Sequence, residues 1–373
     1  MGGGNLVSGF SGTPLQLFAA RAFTGFGAGA INALVQIAIA DITTLEQRGY
    51  YFGMVGVATA LGNGLGPVIG GALTQTAGWQ WAFWFIPISQ SGTTMSWTSP
   101  VTIGMLVAGI TLFGVFLMVE WRFAKLPLLP AQLFSYGHST NILIFINVLI
   151  GWIYWGNLFV LPLYLQNVRG ASPSRAGILL LPMVIAHGLT SALTGILISV
   201  SGHYKPIIVT GAVCWALAAI AKLYYDQETA IWRIIVVGIL DGVGVGCSLQ
   251  PVLVGLFAGS DTNDRAVLTG LRNFMRDIGG AASTTISGTI LSNVLYGQLK
   301  ARFSPETISE LISSAFALER LHLTEEEKGL VTQGYMEGLH QVFASFTVLI
   351  AIHVCACLFI QDYGLKRDSL QRK

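Results

Sequence analysis

Long apolar runs alternate with short polar connections along almost the whole chain. A helix needs about 20 predominantly apolar residues to cross a bilayer, and its sheltered backbone must hydrogen-bond within the segment. Segments of that kind occupy residues 15–40, 50–73, 99–119, 140–165, 176–200, 206–224, 231–258, 277–297 and 339–361, which predicts nine transmembrane helices. The segment 277–297 is the weakest of them, being rich in Ser, Thr and Gly. A shorter apolar piece, Trp81 to Ile88, is too brief to cross and reads as a helix stub or an interfacial segment. The expected fold class is an all-α integral membrane bundle.

Composition narrows the classes further. Only 10% of the 373 residues are charged, against about 25% in a soluble domain, so there is too little charge to cover a water-facing surface. At 53% hydrophobic residues the chain is too apolar for disorder. A formal net charge of +2 without a basic block speaks against nucleic acid as a partner. Cys214, Cys247, Cys355 and Cys357 all fall in apolar runs, which suggests no disulfide frame. Cys355 and Cys357 are two apart, about 200° around a helix, and could not chelate one metal together.

Lysine and arginine in the connections set the orientation. With the C-terminus inside, the inner connections hold eleven, among them Arg48, Arg265, Arg272 and Arg276, and the outer ones eight, among them Arg169, Lys222 and Arg233. The bias predicts an N-out, C-in chain. Trp79, Trp81, Trp84 and Trp97 near one boundary and Trp121 near another read as an aromatic belt or as bundle packing. In the outer loop 298–338, Ile308, Leu311, Ile312, Ala315 and Phe316 form one apolar stripe. Ser304 with Pro305, and Thr324 with Glu327, read as helix starts. Two short amphipathic helices are expected there.

Three glycine lines stand at four-residue spacing: Gly25 and Gly29; Gly62, Gly66 and Gly70; Gly238, Gly242 and Gly246. That spacing aligns them on one helix face, where a neighbour can approach to near backbone contact. A phosphate-cradling loop would need a strand before the glycines, and none is expected. Pro67 after Gly66 removes a backbone donor inside a span, either as a fixed kink or as a flexure. Ionisable residues inside spans are functional candidates by default. Arg21 either snorkels to an interface or serves a pathway. Asp241 either exchanges a proton or pairs internally, and His187 and His353 read as packed neutral rings. No His-Glu-x-x-His, Gly-x-Ser-x-Gly or zinc-spaced ligand set occurs, so no enzyme chemistry, metal or organic cofactor is expected.

Together these residues resemble a known family. Arg21-Ala-Phe-Thr-Gly25-Phe-Gly-Ala-Gly29 resembles the fourth-span signature of the major facilitator superfamily. Gly62-Asn-Gly-Leu-Gly66-Pro67-Val-Ile-Gly70-Gly71 is similar to its fifth-span antiporter motif. Glu120-Trp-Arg122, Leu161-Pro162-Leu-Tyr164, Arg169-Gly-Ala-Ser-Pro173, Gln250-Pro251 and Arg272-Asn-Phe274 with Arg276 look like the fungal fourteen-span drug:proton antiporters. On this resemblance residues 1–98 are an incomplete N-terminal half of two spans plus a stub. Residues 99–134 are a linking span and cytoplasmic loop, and 135–373 a C-terminal six-helix half. The first two spans, most of the third and the sixth–seventh region have no counterpart.

The resemblance implies proton-driven efflux of small, largely apolar compounds such as drugs or fungal secondary metabolites. The proton gradient would be the energy source, with no cofactor. The implied partners are a small-molecule substrate, the lipid bilayer, and a partner chain should the short form be active. Plasma membrane is the expected location, with the vacuolar membrane as alternative. Arg21, Gly25, Gly29, Gly62, Gly66, Pro67, Gly70, Gly71 and Asp241 are the candidate transport residues. A truncated, non-transporting remnant is the rival reading, and a membrane enzyme a remote one.

Overall fold

The computed structural model describes residues 8, 11, 14–43, 47, 50–59, 61–62, 118, 137–261, 264–305, 307–308, 311 and 323–364. Among them every regular element is helical and no strand occurs. In chain order the helices are α1 (Pro14–Ile42), α2 (His138–Leu163, continued by a π-helical turn, Tyr164–Val168), α3 (Pro173–Ser201) and α4 (Lys205–Lys222). They are followed by α5 (Ile231–Ala258), α6 (Arg265–Leu299) and α7 (Glu325–Leu358). Residues 50–59 are also helical. The expected span 99–119 (apart from Met118), the aromatic cluster Trp79 to Trp97 and Trp121 lie outside the described residues.

Local chemistry sets the helix ends. Ser172 caps α3 by accepting from the Arg175 amide at 3.3 Å, Pro173 supplies a preset first residue, and Gly202 ends the helix in the left-handed region at φ 73°. In α2 Pro162 lacks the amide of a regular ladder, and the helix widens to the π turn two residues later. The Thr324–Glu327 capping box is formed as expected.

Two expectations are corrected here. The helix that starts at the capping box runs unbroken to Leu358, so the second short amphipathic helix is the N-terminal extension of the last span. No proline interrupts it, and helix continuation costs less than a break. Likewise α6 begins at Arg265 rather than at 277, which moves Arg272 and Arg276 from a connection into a helix. Of the other expected amphipathic helix, Ile308 and Leu311 are buried, while Ile312, Ala315 and Phe316 lie outside the described residues.

Among the described residues five helices are long and apolar enough to cross a membrane: His138–Val168, α3, α4, α5 and α7. Their outward faces carry exposed apolar side chains, such as Ile185, Leu189, Leu193, Ile196 and Val200 (80% exposed) in one stripe along α3. Such a continuous greasy face suits lipid and not water. Cys355 is exposed and Cys357 buried, as their angular separation on α7 requires.

Within residues 138–358, α3 packs along α5, α2 along α6, and α4 along α5, while α7 bridges α4, α6 and α2. One end of this bundle carries Gly202 and the other the α4–α5 connection with Asp226. At the Gly202 end the Tyr204 hydroxyl donates to the Gln361 carbonyl at 2.9 Å, and the Lys205 ammonium donates to the Leu358 carbonyl at 3.0 Å. At the other end the Thr229 hydroxyl donates to the Asp226 carboxylate at 2.8 Å, and the Glu228 amide donates to it at 2.9 Å. Those bonds, the Thr229 one foremost, hold the Asp226 carboxyl below its ordinary range.

Candidate functional site

Close approach of α5 to both neighbours builds the first polar cluster. A Cβ on Gly242 would meet the Met183 carbonyl, the Ala186 Cβ at 2.7 Å and the His187 amide at 2.8 Å. One on Gly246 would meet the Thr190 Cβ at 2.7 Å and the His187 carbonyl at 2.9 Å. Glycine therefore lets α3 press against α5 there. On another face of α5, Gly244 gives room to Trp215 of α4. Asp241 is one turn before Gly244 on that face and is fully buried. It forms an ion pair with Lys222, the last residue of α4, which is itself 2% exposed.

The Lys222 ammonium also donates to the Asn157 side-chain oxygen of α2 at 2.9 Å. The Trp215 indole faces the same carboxylate without completing a hydrogen bond. Three helices thus meet on one charge pair. An isolated charge here would be very costly, while a pair with a further hydrogen bond is tolerable. Trp215 in turn receives the edge of His353 at 5.7 Å between ring centroids, and Tyr154 meets His187 at 5.5 Å. Both histidines are buried and packed against aromatic rings.

The second polar cluster joins α1 to the bundle. Arg272 of α6 is 1% exposed. Its guanidinium donates to the Gln36 side-chain oxygen of α1 at 3.1 Å, to the Asn273 oxygen at 3.4 Å and to the Leu249 carbonyl of α5. Gln36 is held by its bond to Asn32 at 2.8 Å. Nearby, Phe52 packs on Phe257 with ring centroids 6.0 Å apart. A Cβ on Gly53 would meet the Ser191 carbonyl at 2.8 Å, and one on Gly56 the Ser191 hydroxyl at 2.6 Å. These contacts all fall in the Gly202 half of the bundle.

The candidates named from the sequence are not gathered into one site. Asp241 sits in the first cluster. Arg21 is half-buried on α1. Gly25 and Gly29 are exposed, and no heavy atom stands within 4 Å of a Cβ added to either. Gly62 is half-buried with the same free space. The close helix approach expected at those three positions is thus absent among the described residues, because no described neighbour lies on that face. Gly66, Pro67, Gly70 and Gly71 lie outside the described residues. Lys222 was counted with the outer connections and Arg272 with the inner ones, and both turn out to be buried helix residues. The signal that could have found Lys222 is its place at the very end of an apolar run, with one acid, Asp241, in the next.

A sequence model described as Major Facilitator Superfamily matches residues 1–284. The chain belongs to the Major Facilitator Superfamily. It is 31% identical to a citrate exporter of Yarrowia lipolytica over 95% of this chain and 60% of that protein. It is 27% identical to an MFS-type transporter of Cochliobolus lunatus over 91% of this chain and 68% of the relative. An efflux pump of Dothistroma septosporum is 28% identical over 78% of this chain and 58% of the pump. The chain therefore spans 58–68% of these relatives' length. As a Major Facilitator Superfamily member it is a multi-pass membrane protein whose kin are transporters and not enzymes. In such folds solutes bind between packed repeats near mid-membrane.

Proposed function

We propose that the chain is the membrane core of a proton-coupled exporter of small, largely apolar organic compounds, placed N-out and C-in. The observation that carries the proton coupling is the Lys222–Asp241 pair, buried where α2, α4 and α5 meet. With Asp241 ionised the pair is neutral overall. A proton on Asp241 leaves the Lys222 ammonium buried without its counter-charge, a loss on the order of 3–5 kcal/mol. Helices that separate and admit water relieve that loss, so protonation favours a different arrangement of the bundle. The membrane potential adds about 2.3 kcal/mol per charge per 100 mV to the inward pull on a proton.

Export as the direction is supported by the printed names of the relatives, a citrate exporter and an efflux pump among them. The orientation rests on the lysine and arginine bias, which keeps its sign when the buried Lys222, Arg272 and Arg276 are left out. The proton gradient is the energy source, and the plasma membrane the location, with the vacuolar membrane as alternative. The test is flux of a lipophilic fluorescent compound in proteoliposomes under an imposed pH gradient. Asp241→Asn, near in shape but unable to ionise, is expected to lose the gradient-driven part and to keep exchange without a gradient. Gradient-driven flux as steep in Asp241→Asn as in the wild type refutes the coupling role. Wild-type liposomes without flux favour the non-transporting remnant.

A further inference from the structure

Three cations are buried among the described residues, Lys222, Arg272 and Arg276, and they are treated differently. Lys222 has a carboxylate. Arg272, equally buried, forms no ion pair among the described residues. Its acceptors are an amide of α1, an amide of α6 and a backbone carbonyl of α5, all neutral. Its Nε has no hydrogen-bond partner, and neither has the adjoining Asn273 Nδ2, which also belongs to a buried side chain. Arg276, one turn further along α6, adds positive charge from the same side and spends its own contacts on Asp277 at 3.3 Å. A guanidinium without a counter-charge is costly in such a place. Its planar fork matches a carboxylate with two parallel hydrogen bonds.

The geometry points to an anion subsite centred on Arg272, between α1, α5 and α6, that takes the carboxylate of a small organic acid. This narrows the proposed export substrates to compounds with an apolar body and one acidic group, and so rests on that reading. The Gln36 contact is then the resting occupant of the fork. An incoming carboxylate displaces a neutral amide oxygen and supplies the missing charge. Because α1 contributes Gln36 while α5 and α6 contribute the rest, occupancy bears on how α1 meets the bundle.

The test measures binding and needs no transport. Detergent-purified full chain is melted with benzoate, with benzamide (the same ring without charge) and with inorganic phosphate, at constant ionic strength. Benzoate is expected to raise the wild-type Tm by about 2 °C at roughly tenfold excess over its Kd, and benzamide not to. Arg272→Gln is expected to abolish the benzoate shift, and Arg272→Lys to weaken it several-fold, since the charge stays and the fork is lost. Gln36→Glu places a carboxylate on Arg272 from within the protein, and is expected to raise the basal Tm and abolish the shift. Should Arg272→Gln fail to fold, Gln36→Glu decides. Equal shifts with benzoate and benzamide, a shift with phosphate alone, or an unchanged benzoate shift in Gln36→Glu overturns the subsite. Loss of benzoate binding alongside intact pH-driven flux sinks this inference alone. Arg272-dependent binding without any flux sinks the transport reading and leaves the subsite standing.

Discussion

The same four-residue glycine spacing occurs in α1 and in α5, with opposite outcomes. Gly242 and Gly246 of α5 lie against the backbone of α3 so closely that no Cβ fits. Gly25 and Gly29 of α1 are exposed, with nothing among the described residues within 4 Å of an added Cβ. Spacing fixes which residues share a helix face, and a seam forms only where a partner helix occupies that face. The close approach of the N-terminal elements is made instead by Gly53 and Gly56 against Ser191 of α3, at a spacing of three. The α5 seam has a further consequence. By drawing α5 close to its neighbours it removes water from Asp241, and the inward turn of Lys222 supplies the counter-charge.

The largest test of this contrast is the charge pair. Lys222→Met is expected to lower stability in detergent by about 3–5 kcal/mol, since it strands the Asp241 carboxylate. The double change Lys222→Met with Asp241→Leu is expected to recover most of that, as measured by denaturant titration. A double variant no better than the single one would mean that packing and not charge balance governs this site. Next come the glycines. Gly242→Ala is expected to cost about 1–3 kcal/mol through overpacking against α3. Gly25→Ala is expected to be neutral or to stabilise by up to about 1 kcal/mol, because a helical glycine loses more backbone entropy than alanine. Equal losses at the two sites would place a partner on the Gly25 face. The smallest effect is expected at the Asp226 end. Thr229→Ala removes the main support of the lowered Asp226 carboxyl. A depressed carboxyl stabilises the fold above its unfolded pKa, and that contribution is lost as pH falls through the folded value. The Tm difference between wild type and Thr229→Ala is therefore expected to be small at neutral pH and to vanish in acid.

Much of the helix pattern was legible because hydropathy reports burial in lipid directly. The run 231–258 coincides with α5, bounded as read. The start of α6 was not legible. Hydropathy falls off at Arg276, whereas the helix continues back to Arg265, since Arg272 finds acceptors on α1, α5 and α6 that sequence spacing does not reveal. The capping box at Thr324 was legible as local chemistry, but its continuity with the last span depends on what the helix packs against. Of the candidate site, Asp241 was found because a lone acid in an apolar run is conspicuous. Lys222 was missed because a lysine at a span's end snorkels outward by default, and only the position of Asp241 on the adjacent helix turns it inward.

The amino-acid sequence by itself determined that this is a helical membrane protein, roughly where its helices run, and the superfamily it resembles. Those properties follow from the length of apolar runs and from local end signals, which act within one helix. Tertiary structure alone decided which glycines became seams and which cations lost their water. Both depend on distances of a few ångströms between residues far apart in the chain, and in a low-dielectric interior those distances decide whether a charge is paired or left in want of a ligand.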